Sequence, residues 1–494
     1  MAKKIINKII VEPSRSLQEY RLLTGKTTSD NTLSLVNLKT KLCRIPGKKI
    51  EFIELNMPLI SAAMQAVSGK ELAIALAQYG GISVIPSSLS IEKQVGTINE
   101  VKKFKAGFQE NVTTVKKDDK ISLIVEFMKK YDYTSYFVTA DGKPHGKLIG
   151  IITEKNFDPK KHANDKVEEH MQTKIDKALE GISLKEANTL MVKYGRGTLP
   201  IVDKKGNLKY VVFKRDVQKH LDFPDGVVDS NKRYLVAAAI STQPKDLPRI
   251  DALLETAVDV LFIDASDGYS QFQADTLNYI RKKSNIPVVG GNIITRDGFD
   301  FLAKAGFDAV KVGMGIGSGC TTQEQKGTGR GQATALMNVC AARDQYYRKT
   351  GKYIPIIADG GMSYSSQMVI ALAIGADSLM LGSFFAQFTE AAGPLRTHPK
   401  LGALKEYWME ASAKAKNMGR YDSNEICWFE EGVEGYVPHT GSVYIHLKPT
   451  ILKIKSALSS AGCRDISELH KNAALELQSE ASIAMGKVHD IIVQ

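Results

Sequence analysis

The chain has 494 residues, 24% of them charged, and its 66 Lys and Arg exceed its 54 Asp and Glu to give a formal net charge of +12. Chains beyond roughly 250–300 residues tend to split, which argues against a single compact domain and makes two the starting expectation. No segment reads as a membrane span, because the uncharged stretch Ala73–Ile91 is broken by Gln78, Gly80, Gly81, Pro86 and several serines. The N-terminal Met-Ala-Lys-Lys-Ile-Ile lacks the apolar core and cleavage site of a secretory signal, so a cytoplasmic location is expected. The five cysteines, Cys43, Cys320, Cys340, Cys427 and Cys463, form no Cys-x-x-Cys pair and no disulfide spacing, which fits a reducing compartment.

In chain order, short apolar runs ending in Gly, Ser, Asn or Asp read as buried parallel strands. The first two are Met57–Ser61 and Gly81–Pro86. Residues of about 100–225 then interrupt the series, and residues 101–220 hold 25 Lys and Arg against 16 Asp and Glu, +9 of the total charge. That basicity suits a solvated lysine-rich surface, the phosphates of free nucleotides, or nucleic acid. The segment also repeats itself. Val115, an apolar helix Ile121–Met128, Tyr136-Phe-Val-Thr-Ala-Asp-Gly and Leu148-Ile-Gly-Ile-Ile-Thr are matched by Ala178, Leu184–Met191, Leu199-Pro-Ile-Val-Asp-Lys-Lys-Gly and Leu208-Lys-Tyr-Val-Val-Phe. This order resembles a tandem pair of CBS modules, and the resemblance implies a regulatory adenine or guanine nucleotide in the cleft between the copies. Asp216 stands where the acid that contacts ribose is common, and Asn156 replaces it in the first copy, so at most one ordinary nucleotide site is expected. A purely structural insert is the alternative.

Six more strands follow, at Tyr234–Ile240, Val260–Asp264, Ile286–Gly290, Ala309–Gly313, Ile354–Asp359 and Ser378–Gly382, most with a helical stretch behind them such as Gln367–Ile374. The spacing from the third strand to the sixth is about 25 residues, one strand-helix unit. Eight units close a (β/α)8 TIM barrel; the alternative is a doubly wound open sheet. Polar residues at nearly every strand's C-terminal end favour the barrel, whose site lies on one rim. The expected organisation is residues 1–100 as the first part of the barrel, 101–225 as the insert, and 226–494 as the rest of the barrel with its loops.

Ala309-Val-Lys-Val-Gly-Met-Gly-Ile-Gly-Ser-Gly-Cys-Thr-Thr-Gln carries the most chemistry. Gly313, Gly315, Gly317 and Gly319 let the backbone approach a ligand closely, and Ser318 adds a hydroxyl suited to phosphate. Cys320, on the rim loop, is placed as a nucleophile once its thiolate is favoured.

This loop resembles the catalytic loop of the inosine 5′-monophosphate (IMP) dehydrogenase family. Ser61-Ala-Ala-Met-Gln, Phe262-Ile-Asp-Ala-Ser-Asp-Gly, Gly290-Gly-Asn, Ala358-Asp-Gly-Gly, Met380-Leu-Gly-Ser and Glu430-Glu-Gly-Val-Glu-Gly-Tyr-Val-Pro stand in the family's order across nearly the whole chain. The resemblance implies NAD-dependent oxidation of IMP to xanthosine monophosphate (XMP) in guanine nucleotide biosynthesis. Cys320 would attack C2, hydride would leave to NAD, and water would hydrolyse the resulting thioimidate. Arg420 and Tyr421 match the family's mobile flap, and Thr322 with Glu431 forms its other proton path. Ser318, Gly361, Gly382, Ser383 and Tyr407 are expected around the phosphate, Asp359 on the ribose, and Glu431, Met64, Glu410 and Gly432 towards the base. Asp264, Asn292, Gly313 and Gly315 are expected on the cofactor side.

The chain departs from the family pattern at several points. Gly319 replaces an isoleucine, which predicts a more flexible nucleophile, Met409-Glu410-Ala411 replaces a Gly-x-Gly motif, and Ala265 replaces a serine or threonine. Many members bind potassium through carbonyls of the cysteine loop, here Gly315, Gly317 and Cys320, and through a Glu-Gly-Gly motif of a neighbouring subunit. Met485-Gly486-Lys487 stands at the latter position, so the Lys487 ammonium is a candidate substitute for the ion. A homotetramer is expected from the family, with neither membrane nor nucleic acid as a partner. The rival readings are a GMP reductase, which needs no hydrolytic flap, and a catalytically inactive nucleotide-sensing protein.

Overall fold

The computed structural model describes residues 5–6, 9–48, 51–104, 108–109, 112–131, 135–214, 223–415, 430–489 and 491. It divides into a unit of residues 1–103, 225–227 and 235–494 and a second of residues 104–224 and 228–234.

The first unit is a closed barrel of eight parallel strands. They are β1 (Leu59–Ser61), β2 (Ile82–Ile85), β3 (Ala237–Ile240), β4 (Val260–Ile263), β5 (Val288–Ile293), β6 (Ala309–Val312), β7 (Ile356–Asp359) and β8 (Ser378–Leu381). Closure is made by β8 on β1, with Leu379 opposite Leu59, and β2 pairs with β3 across the intervening chain, with Val84 opposite Ala237. The expected eight-stranded barrel is what forms, but five strands begin later than their apolar runs: β2 by one residue, β3 by three, and β1, β5 and β7 by two. For the last three the reason is proline, because a residue without an N–H cannot open a ladder. Pro58, Pro287 and Pro355 precede β1, β5 and β7, and each offers only its carbonyl, to Leu379, Leu261 and Val310 at 2.8, 3.0 and 3.0 Å. The helices that matter below are α1 (Ile91–Lys103) after β2, α2 (Gln271–Arg281) after β4, α3 (Gln332–Thr350) after β6 and α4 (Ser365–Ile374) after β7.

The floor of the barrel repeats one device three times. Asp259, Asp308 and Asp377 stand immediately before β4, β6 and β8, and each carboxylate accepts a backbone N–H from the neighbouring chain, of Val236, Val288 and Ile356, at 2.8 Å. Each also meets a cation from the end or interior of a helix: Lys102 of α1, Arg281 of α2 and Arg343 of α3. Buried charges need such partners.

The second unit bears out the internal repeat down to its irregularities. In each copy a short strand pairs in parallel with the next, which pairs antiparallel with a third: Thr114–Val115, Ser135–Thr139 and Leu148–Thr153, then Ala178–Leu179, Thr198–Val202 and Leu208–Phe213. The register shifts one residue before the end of the middle strand both times, at Val138/Thr139 and Ile201/Val202. The helices Ile121–Tyr131 and Leu184–Tyr194 pack apolar faces over these sheets, and Gly195 ends the second in a left-handed conformation. A cavity of about 650 Å³ in this unit is lined by Thr153, Lys155, Lys174, Arg196 and Lys214 among others. Asn156 is occupied locally, its Oδ1 accepting from the Thr153 N–H at 2.8 Å, and Asp216 lies outside the described residues.

The floor device predicts a test. Arg343 and Asp377 are 4% and 5% exposed at 3.2 Å. Arg343→Met, which strands the Asp377 carboxylate, is expected to cost about 3–5 kcal/mol, read as a lower urea midpoint by circular dichroism. The pair Arg343→Met with Asp377→Asn is expected to lose less than the single change.

Candidate active site

Because all eight strands run the same way, their C-terminal ends share one rim. Asp264 follows β4, Asn292 lies near the end of β5, Gly313 follows β6, Asp359 ends β7 and Gly382 follows β8. Asp359 does not stand alone. Its Oδ2 accepts from Asn292 Nδ2 and from Lys311 Nζ, both at 2.9 Å, and Lys311 also lies 3.6 Å from Asp264 Oδ1. Lys311 is buried; desolvation lowers its pKa, but Asp359 and Asp264 outweigh it and the net direction is upward. The ammonium therefore stays charged at neutral pH and is shared by the carboxylates expected on the substrate and cofactor sides. Lys311 was not singled out from the sequence, although a charge inside the apolar run Ala309-Val-Lys-Val signals a partnered interior group.

Gly313 begins the cysteine loop with φ 143°, and a Cβ there would lie 2.0 Å from the Asp359 carbonyl oxygen, so only glycine fits. Cys320 is half-buried, and its N–H donates to the Gly317 carbonyl at 3.0 Å. Its Sγ lies 3.1 Å from Thr322 Oγ1, which donates to Glu431 Oε2 at 3.0 Å. Thr322 has one hydroxyl proton and gives it to Glu431, so towards Cys320 it accepts: the chain runs from thiol to hydroxyl to carboxylate. Lys326 Nζ lies 3.4 Å from Glu431 Oε1. The other described thiols, Cys43, Cys340 and Cys463, are pushed up by burial, Cys340 to about 12, and are unsuited to attack.

The residues expected around phosphate and base also gather. A Cβ on Gly382 would be 2.8 Å from Tyr407 Oη and 3.3 Å from Met64 Sδ. Tyr407 Oη lies 3.9 Å from Met64 Sδ, and burial pushes its phenol up to about 12, so it remains a neutral hydroxyl. Ser383 opens the turn after Gly382, and a Cβ on Gly361 would meet Ile316 of the cysteine loop at 3.3 Å. Glu410 Oε1 accepts the Gln65 N–H at 2.6 Å, which ties it to the segment of Met64. Gly432 lies opposite Cys320 in a two-residue bridge. The Gly319 carbonyl accepts the Val433 N–H at 3.0 Å, and the Met409 side chain packs 3.1–3.4 Å from where a Cβ on Gly319 would be.

For a dinucleotide, the fit rests on Asn292. Both protons of its Nδ2 are used, on Asp359 and on the Gly313 carbonyl at 2.7 Å, while its Oδ1 is buried with no partner. Such an acceptor beside Asp264 is suited to ligand hydroxyl or amide donors. The cation carbonyls are partly occupied: Gly315 O accepts from Gln323 Nε2 at 2.7 Å and Gly317 O from Cys320 N–H. Lys487 is exposed in the single chain. Arg420 and Tyr421 lie outside the described residues. Elsewhere, His162, Asp165 and His170 place ligand-type atoms within 4.8 Å of one another. There the Asp158 N–H donates to His162 Nδ1 at 2.8 Å, so the neutral ring carries its proton on Nε2 and has no free lone pair for an ion.

Comparison with known proteins accords with this geometry. A family model described as "IMP dehydrogenase / GMP reductase domain" matches residues 18–489. An inosine-5′-monophosphate dehydrogenase of Tritrichomonas foetus is 41% identical over 98% of this chain and 97% of its own, and one of Aquifex aeolicus is 36% identical over 89% of each. A GMP reductase variant from Trypanosoma brucei, solved in complex with guanosine 5′-monophosphate, superposes with a TM-score of 0.81 at 26% identity, covering 99% of this chain and 100% of that one. No described helix is long and apolar enough to cross a membrane. The chain belongs to the IMP dehydrogenase / GMP reductase family and is an enzyme of the oxidoreductase class.

Proposed function

We propose that the protein oxidises IMP to XMP through a covalent adduct on Cys320. The observation that carries this reading is the chain from Cys320 Sγ through Thr322 to Glu431. The thiol proton passes to Thr322 as the hydroxyl proton passes to Glu431, leaving a thiolate beside the expected base position. The thiolate adds to C2 of the purine, and NAD, when bound, supplies the hydride acceptor. Asp264 and Asn292 would hold its nicotinamide riboside. Loss of the C2 hydrogen as hydride leaves a thioimidate on Cys320, and water attacking C2 releases XMP and returns the sulfur as thiol. For that water, Thr322 and Glu431 form a proton path already built, with Arg420 and Tyr421 proposed as the second. Asp359, held by Lys311 and Asn292, is suited to accept the ribose hydroxyls, while Ser318, Tyr407, Gly361, Gly382 and Ser383 surround the proposed phosphate position.

The active form proposed is a cytoplasmic homotetramer in which Lys487 of one chain approaches the cysteine loop of the next in place of potassium. The basic cavity of the second unit is proposed to take a purine nucleotide by its phosphates.

NADH absorbance tests the assignment. Purified protein with IMP and NAD is expected to produce NADH, with or without potassium at constant ionic strength, and Cys320→Ala is expected to abolish it. NADPH consumption with GMP alone would assign a reductase instead, and a steep rise with potassium would remove Lys487 from the role given to it. Thr322→Val and Glu431→Gln are each expected to lower kcat by about 10²–10³-fold while KM for IMP stays within about threefold; unchanged kcat in both would eliminate the relay. Equilibrium dialysis with ATP and GTP is expected to show saturable binding that weakens at least about tenfold when Lys155 and Lys214 are both changed to Ala, and no saturable binding would make the insert structural.

A further inference from the structure

The residue before the nucleophile is held by a side chain from another part of the chain. Strand Gly402–Trp408 ends beside the cysteine loop, and Met409, directly after it, packs on Gly319, the residue ahead of Cys320. A Cβ on Gly319 would lie 3.1 Å from Met409 Cε, 3.2 Å from Cγ and 3.4 Å from Sδ. A Cβ on Gly432, opposite Cys320, would lie 2.3 Å from Met409 Cβ and 2.6 Å from Cγ. Neither glycine has the left-handed φ that would exclude a side chain. Met409, itself 8% exposed, bars a Cβ at 432 and crowds one at 319.

The backbone around this side chain is tied on three sides. Met409 N–H donates to Val433 O at 3.1 Å, Val433 N–H to Gly319 O at 3.0 Å, and Thr321 N–H to Glu431 O at 3.0 Å. Three segments that carry the phosphate-side tyrosine, the nucleophile and the relay acid thus meet at one thioether. Without that filling, two facing glycines would border a void, and glycine is the residue least able to hold its own conformation.

We propose that Met409 is a positioning residue for Cys320, matched to Gly319 so that the volume between strand end and cysteine loop is filled once, from the 409 side. Its thioether holds Sγ in line with Thr322, and a side chain at 319 could replace it only if 409 were emptied. This rests on the reading of Cys320 as the nucleophile.

A double-mutant cycle tests the match. Gly319→Ile, which overfills the space, and Met409→Gly, which empties it, are each expected to lower kcat about tenfold or more with KM for IMP changed less than about threefold, and the double variant is expected to recover to within about threefold of the parent. The pH profile of Cys320 alkylation by iodoacetamide, which needs no turnover, is expected to shift in each single variant and return in the double. Losses that multiply in the double variant, or single variants that behave as the parent, would overturn the proposal. Met409→Leu, which keeps a filling side chain, is expected to retain activity; if it fails like Met409→Gly while circular dichroism shows a folded chain, filling is not the role of this residue. Should the parent not turn over IMP at all, recovery of the alkylation profile in the double variant would keep the clamp and reject the dehydrogenase reading, and multiplied shifts would reject both.

Discussion

Parallel closure is the constraint from which the rest of the barrel unit follows. When eight strands run the same way around a ring, every strand's last residue arrives at one rim and every first residue at the opposite floor. Asp264, Asn292, Gly313, Asp359 and Gly382 are far apart in sequence and meet because each ends or follows a strand. The same closure brings the polar residues before β4, β6 and β8 together at the floor, where Asp259, Asp308 and Asp377 join neighbouring strands to helix cations. Identical chemistry, a carboxylate with a cation, thus recurs at both ends of the barrel.

The difference between the ends lies in how completely each charge is satisfied. At the floor, Asp377 accepts from Arg343, Tyr353 and the Ile356 N–H, which leaves little capacity for anything else. At the rim, one ammonium, that of Lys311, is divided between Asp359 and Asp264, and Asn292 Oδ1 is buried without a partner. Incomplete satisfaction inside a folded protein is costly unless something else completes it. We propose that ligands complete the rim, with Lys311 connecting the two carboxylates that would hold different ones.

Much of this was legible in the sequence, for identifiable reasons. The eight strands showed as short apolar runs because both faces of a barrel strand are covered, and the repeat in the second unit showed because each copy must rebuild the same sheet and helix. The starts of β1, β5 and β7 were misplaced where proline removed an N–H, which hydrophobicity does not reveal, and that of β3 by three residues with no proline there. Cys320, Thr322 and Glu431 were legible as a group through the resemblance, and their order as a proton chain only through the distances. Lys311 and the floor aspartates were written plainly, as charges in or against apolar runs, but their partners come from elements remote in sequence. Gly319 shows the limit of reading one residue alone: Met409, 90 positions away, packs against it.

The account's central claim is that a cysteine on the rim becomes covalently joined to the purine during turnover, with its proton leaving through Thr322 towards Glu431. The most direct measurement is the intact mass of the protein quenched in acid during steady turnover with IMP and NAD, followed by peptide mapping. The account predicts a nucleotide adduct confined to Cys320, present only when IMP and NAD are both supplied. NADH formation with no such adduct under rapid quenching, or an adduct on another residue, would contradict it.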